Sequence, residues 1–247
     1  MRNLLKSFKD WRNQRRYAAV KKSFGDRLEV RAGPFAGMLY NFESHGSSIV
    51  PKLVGIYEEP IAHCMDEIPL KRYDRIIDVG SAEGYYTVGF ACKNMARRVH
   101  AFDISTDARL MLERLAALNH VRDLITVNAL CDAQQLQALS GRGSLVFCDA
   151  EGAEDELLDP VSVPNLLHTD IVVETHDWLK PGITNDIIER FRRSHRIEVM
   201  ADTERNWSKY RWPTAFTERM KRAWCNEGRP KGMLWLRMLA TPSGEDS

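Results

Sequence analysis

From about Asp74 onward, short and wholly apolar runs alternate with segments of helical periodicity, and few architectures accept that pattern. Arg75–Ser81, Arg98–Ile104, Leu124–Cys131, Ser144–Ala150 and Asp170–His176 read as strands. Gly84–Ala96, Ser105–His120, Asp132–Ser140 and a stretch from Ile183 to His195 read as helices. Ser105–His120 shows the pattern clearly, with Ala108, Met111, Leu112, Leu115 and Leu118 on one face. Ile197–Ala201 and Met233–Ala240 read as two further strands, which makes seven. Strand interiors such as IIDV, LVF and IVVE lack polar alternation, so both faces of their sheet must be covered. Strand–helix alternation also imposes right-handed crossovers. The expected fold is therefore α/β, a doubly wound and mostly parallel seven-stranded sheet.

The 247 residues suit one such domain, over residues 71–247, preceded by an extension over residues 1–70. Residues 1–31 are rich in Arg and Lys and place Leu4, Leu5, Phe8 and Trp11 at helical spacing. They predict a basic amphipathic helix, either packed on the domain or lying on an anionic membrane surface as a peripheral contact. Residues 32–60 carry Gly33, Pro34, Gly37, Gly46, Pro51, Gly55 and Pro60, which implies loops and short lid-like elements without a second core. Residues 203–232 hold Trp207, Tyr210, Arg211, Trp212, Trp224 and Arg229; this stretch is either a lid or a helix packing its tryptophans on the core. Thr241–Ser247 reads as a frayed polar tail.

A net charge of +1 argues against a globally basic nucleic-acid binder. The five cysteines form no Cys-x-x-Cys pair, so no zinc knuckle or redox motif is visible, and their odd number suits a reducing cytoplasm. The opening MRNLLKSFKDW is too polar for a secretory leader, and no apolar run approaches the roughly 20 residues of a membrane span. The sequence does not fix an oligomeric state.

The sharpest local feature is Ile76-Ile77-Asp78-Val79-Gly80-Ser81-Ala82-Glu83-Gly84-Tyr85-Tyr86, a buried strand that ends in an acid and a glycine turn opening a helix. A dinucleotide site would want G-x-G-x-x-G here, whereas this turn holds Ala82 and Glu83 between Gly80 and Gly84. An acid in the turn repels a pyrophosphate and disfavours a nicotinamide cofactor. Together with Asp78 it complements a ligand bearing sulfonium and ammonium groups. One βαβ step downstream, Asp103 ends the next strand where ribose hydroxyls are bound in doubly wound folds, with a helix N-cap as the alternative role. Asp132 is placed either to accept from an adenine amino group or to cap its own helix.

Asp78-x-Gly80-x-x-x-Gly84-Tyr85-Tyr86, Asp103 and Asp149-Ala150-Glu151-Gly152-Ala153-Glu154 together resemble FkbM-type methyltransferases over about residues 74–177. Gly33–Met38 and Pro51–Glu58 resemble a less characterised branch of similar proteins. The resemblance implies a class I methyltransferase domain of Rossmann-like fold that uses S-adenosylmethionine and methylates a hydroxyl group. It implies that Gly80 and its loop, with Asp103, hold the cofactor; the expected cofactor-binding set is Asp78, Gly80, Ser81, Ala82, Glu83, Gly84, Tyr85, Tyr86, Asp103, Ile104 and Asp132. It does not name the acceptor, which is expected to be a small molecule, a sugar or a glycan.

Ligands of open α/β sheets bind beyond the carboxyl ends of the strands. The expected catalytic cluster is Asp149 and Glu151 from the fourth strand of the domain with His176 and Asp177 from the fifth. A hydroxyl must lose its proton to attack a methyl group, and His176 is a candidate base, with Asp149 as base or acceptor-orienting group. A metal-assisted route would instead place Mg²⁺ on Asp149 and Asp177. The acids from Glu151 to Glu154 also suit a plain helix N-terminus, and Glu174 reads as a structural hydrogen-bonding residue. Two other functions fit less well. An RNA ribose methyltransferase would use Asp149 with Lys52 and Lys180, and a non-catalytic cofactor-binding subunit would bind without turnover.

Overall fold

The computed structural model describes residues 18, 20–71, 73–201, 210–214, 216–225, 227 and 233–241. Residues 1–17 of the basic segment, with Leu4, Leu5, Phe8 and Trp11, lie outside the described residues, as do Trp207, Arg229 and nearly all of the polar tail. A short antiparallel pair, β1 (Leu28–Glu29) and β2 (Leu39–Tyr40), leads into α1 (Ile49–Val54) and α2 (Ala62–Lys71). The main sheet follows. It holds β3 (Tyr73–Val79), β4 (Ala96–Phe102), β5 (Ile125–Asn128), β6 (Ser144–Cys148), β7 (Asp170–Thr175), β8 (His195–Ala201) and β9 (Leu234–Ala240). Its helices are α3 (Tyr85–Cys92), α4 (Thr106–Leu118), α5 (Ala133–Leu139), α6 (Glu154–Leu157) and α7 (Ile183–Phe191), with α8 (Glu218–Trp224) before the last strand.

The strand order is β5-β4-β3-β6-β7-β9-β8. Neighbours from β5 to β7 run parallel, and β9 is inserted antiparallel to both β7 and β8. This is the mostly parallel, doubly wound seven-stranded sheet expected from the sequence, with one reversed strand, β9. All seven strands read from the sequence form, with ends displaced by a few residues. The expected helix over Gly84–Ala96 ends at Cys92, because Asn94 turns left-handed (φ 57°) and delivers the chain to β4.

Period-two alternation sends Ile76, Leu145, Phe147, Val172 and Trp235 to one face of the sheet, and Ile77, Val146, Cys148, Val173 and Leu236 to the other. Helices α5 and α7 cover the second face through Leu136, Ile183, Ile187 and Phe191. The first face is covered by α3 and α4 and by the N-terminal segment, whose Leu28, Val30, Phe35, Leu53, Ile56 and Met65 enter the same core as Ile76. Phe35 meets Tyr85, Tyr86 and Phe90 edge-on at 5.3–5.8 Å between ring centres. Of the aromatic stretch before β9, Tyr210, Trp212 and Trp224 pack on this core, so the described tryptophans there cover the sheet.

The chain runs outward from β3 to β5, then crosses back to place β6 on the other side of β3. Gly80 and Asp149 lie just past the ends of these two strands, and Asp149 N–H donates to the Val79 carbonyl at 2.9 Å. A Cβ on Gly80 would stand 1.7 Å from the Asp149 carbonyl oxygen, and its φ of 86° is left-handed. Gly80→Ala is therefore expected to leave little folded protein. Gly37→Ala, at φ 89° with nothing within 4 Å, should cost only the backbone strain of about 1–2 kcal/mol. Thermal unfolding of both variants separates the two effects; equal losses would mean that the contact with Asp149 is not the constraint.

Candidate active site

The glycine turn is shaped by the neighbouring strand end. Gly80 and Ser81 donate their N–H groups to the Phe102 carbonyl at 2.9 and 3.0 Å. Asp103 accepts from Ala82 N–H at 2.8 Å and from Ser105 N–H at 2.7 Å. The expected ribose ligand thus also braces the turn, while Ser105 caps α4. Ile104 beside it is 81% exposed. Ser81 is buried, and its Oγ has no hydrogen-bond partner among the described residues. A buried hydroxyl without a partner in a turn beside the switch point suits a polar ligand.

Asp78 lies under the turn, wholly buried, and accepts a hydrogen bond from Thr87 Oγ1. Burial pushes its pKa up to about 7, against the Thr87 bond and with the help of the Asp149, Asp103 and Glu58 charges. Tyr85 and Tyr86 open α3 from inside the aromatic cluster, and Tyr86 donates its hydroxyl to Glu58 at 2.5 Å.

Glu83 does something other than face a ligand. Its carboxylate is buried and forms an ion pair with Lys52 of α1, and it accepts from Tyr40 Oη at 2.6 Å and His45 N–H at 3.1 Å. Lys52 also donates to Ser47 Oγ at 2.6 Å and sits 4.5 Å from the Tyr57 ring centre. Burial alone would raise the Glu83 pKa, but the Lys52 charge and these bonds hold it below the usual carboxylate range. The acid therefore fastens the N-terminal segment over the turn. Asp132 caps α5 in a capping box, accepting from Gln135 N–H at 2.8 Å, and is exposed there. Of its two expected roles the structure shows the cap.

Asp78, Asp149 and Glu174 follow the first-face parity of β3, β6 and β7, and Glu58 approaches from the N-terminal segment. Carboxylate oxygens of Glu58, Asp149 and Glu174 lie within 4.8 Å of one another. Asp149 also belongs to a second group: His176 Nε2 is 3.5 Å from Asp149 Oδ1 and 3.7 Å from Glu151 Oε2. The other ring nitrogen, Nδ1, is 2.7 Å from Glu154 Oε1. Burial would lower the His176 pKa, but Glu154, Asp149 and Glu151 outweigh it and raise it. Five non-glycine residues among those described have left-handed φ. Asn94 and His120 follow helix ends, while Glu58, Ala82 and Glu151 all lie in loops at this edge, where strain commonly marks a working site.

Three of the four expected catalytic residues, Asp149, Glu151 and His176, come together. Asp177 does not join them. It accepts from Gly182 N–H at 3.0 Å and from Thr184 Oγ1, closing the turn into α7. Engaged in that turn, Asp177 is in neither of the groups of ligand atoms that Asp149 joins, so the geometry gives the expected Asp149–Asp177 pair for Mg²⁺ no support. The triad for an RNA ribose site does not assemble either, since Lys52 is bound to Glu83 and Lys180 to Asp155. Sequence reasoning missed the roles of Glu58, Glu154 and Lys52. Only Glu154 left a signal, the acid spacing Asp149-x-Glu151-x-x-Glu154.

No family model and no curated relative matches this chain. Solved structures do. The O-methyltransferase TomG from Streptomyces achromogenes, involved in tomaymycin synthesis and solved with S-adenosylmethionine, is 14% identical over 76% of this chain and 82% of its own, with a TM-score of 0.48. An O-methyltransferase from Bacillus cereus, solved with S-adenosylhomocysteine, is 13% identical over 70% and 76%, with a TM-score of 0.44. An rRNA methylase from Streptococcus thermophilus is 12% identical over 74% and 97%, with a TM-score of 0.48. At such identities the likeness concerns the fold, and the chemistry must come from the chain's own side chains.

Asp78 supplies a test of the site's electrostatics. Its folded pKa near 7 lies above the unfolded value of 3.8, so its ionisation opposes folding increasingly as pH rises between the two. Asp78→Asn should therefore gain thermal stability relative to the parent between pH 5 and pH 8, at about 1.4 kcal/mol for each pK unit removed. A stability difference that does not change with pH would show Asp78 to be ionised throughout.

Proposed function

We propose that the chain is an S-adenosylmethionine-dependent O-methyltransferase of FkbM-like type acting on a hydroxyl of a small molecule, sugar or glycan. The observation that carries this reading is the meeting of the Gly80 turn with Asp149 at the switch point, where a cofactor cradle and an acid–base cluster share one edge. The cofactor supplies an electrophilic methyl group on a sulfonium centre. Around it, Asp78 and the backbone of residues 80–82 line the cradle, and Ser81 Oγ offers an unused donor and acceptor. Asp103 retains lone pairs for ribose hydroxyls beyond its two backbone bonds. Exposed Ile104 and Leu130, past the ends of β4 and β5, provide apolar contact for a purine ring.

At the neighbouring strand ends, Asp149 and Glu151 flank the Nε2 side of the buried His176 ring. An acceptor hydroxyl placed there is oriented by Asp149 and loses its proton to His176 Nε2. The buried acids also favour a cationic cofactor and repel an anionic one. The absence of Cys-x-x-Cys pairs and the five free cysteines fit a reducing cytoplasm. No helix among the described residues is long and apolar enough to cross a membrane.

Titration calorimetry with S-adenosylhomocysteine tests the reading. Saturable binding is expected, weakened about tenfold or more by Asp103→Ala, which removes a hydrogen-bonding charge worth about 1.5–3 kcal/mol. Asp149→Asn should bind like the parent and lose turnover in an acceptor screen. Equal loss of binding in both variants, or no binding at all, would overturn the assignment of roles.

A further inference from the structure

Glu154 belongs to no expected site, yet it is the most enclosed acid at this edge. Its side chain is 0% exposed, in a four-residue helix that begins at Glu154 itself. One carboxylate oxygen accepts from Ala150 N–H at 3.0 Å, and the other accepts from Gly152 N–H at 2.9 Å. The first oxygen also meets His176 Nδ1 at 2.7 Å. A single carboxylate thus binds both the turn that carries Asp149 and Glu151 and the ring that faces them. Both backbone partners can only donate, so the carboxylate must accept from them, and an anion accepting several bonds in a dry site is stabilised.

We propose that Glu154 is the positioning residue of the reaction: it holds His176 with its proton on Nδ1, so that the Nε2 lone pair faces Asp149, Glu151 and the acceptor. The inference rests on the reading of His176 as the base. An imidazole has one donor and one acceptor nitrogen when neutral, and the partner of one nitrogen decides the role of the other. Glu154 Oε1 is an acceptor only, so Nδ1 must donate and Nε2 is left to take a proton. The charges that reach the ring are Glu154 on the Nδ1 side and Asp149 and Glu151 on the Nε2 side. The other charged groups on the β7–α7 connection are engaged elsewhere, Asp177 with Gly182 and Thr184 and Lys180 with Asp155. Glu154 does not touch the acceptor. It acts through His176 and through the turn.

The test needs no acceptor in its first arm. Nitrogen-15 spectra of the His176 ring, titrated in the full-length protein, should show the Nδ1–H tautomer when neutral and a pKa above the ordinary 6.5. The opposite tautomer in the parent protein would overturn the proposal outright, whatever the enzyme's activity. Glu154→Gln should move the His176 titration to lower pH, whereas Asp155→Asn, one residue along and bound to Lys180 and Arg190, should leave it in place. In the second arm, Glu154→Gln should lower kcat up to about 100-fold, on the scale of a lost acid–base contribution, with cofactor KM within about twofold. It should also shift the rising limb of the pH–rate profile to lower pH. An unshifted limb and titration in a folded Glu154→Gln protein would show Glu154 to be structural only. The expected ring titration without a matching pH–rate limb would sink the assignment of His176 as base while leaving its orientation by Glu154 intact.

Discussion

The structure depends on how closely two parallel strands approach where the winding direction reverses. Strands β3 and β6 leave the sheet side by side, and the space between Gly80 and the Asp149 carbonyl excludes even one carbon atom. That contact aligns the turn before α3 with the turn before α6. Everything that follows from the sheet's topology arrives at this point: Asp103 from one neighbour, Glu174 and His176 from the other, and Glu58 from above.

The second principle is electrostatic. The edge gathers more carboxylates than its environment comfortably ionises, and they separate by environment. Asp78, buried and bonded to the Thr87 hydroxyl, is driven toward its neutral form. Glu83 and Glu154, buried with a lysine and a histidine, are held ionised. Chemically alike groups at one edge of the sheet thereby take different charge states at one pH.

The strands were legible because a sheet covered on both faces forces uninterrupted apolar runs, and the glycine turn because its φ values and contacts admit no substitute. The same logic found Asp149 and His176, whose positions follow from strand ends alone. It failed where a role depends on a partner distant in the chain. Glu83 looks like a ligand-facing acid until Lys52, 31 residues earlier, is seen to claim it. Asp177 looks like a catalytic acid until Thr184 is seen to occupy it. Residues 32–60 read as loops because glycine and proline dominate their pattern, yet Phe35, Leu53 and Ile56 enter the main core. Short elements carry too few residues for a periodicity to register.

The Lys52–Glu83 pair also shapes how such a sequence is able to change over time. Both side chains are almost completely enclosed, so replacing either one alone strands the other's charge away from water. Single steps away from this pair strand a buried charge, while a paired replacement avoids that and leaves the Tyr40 hydroxyl and His45 N–H to be repartnered. The two positions are therefore expected to drift as a unit, even though one lies in the N-terminal segment and the other in the turn of the sheet domain. The roof and the cradle of the site are tied together in heredity as they are in space.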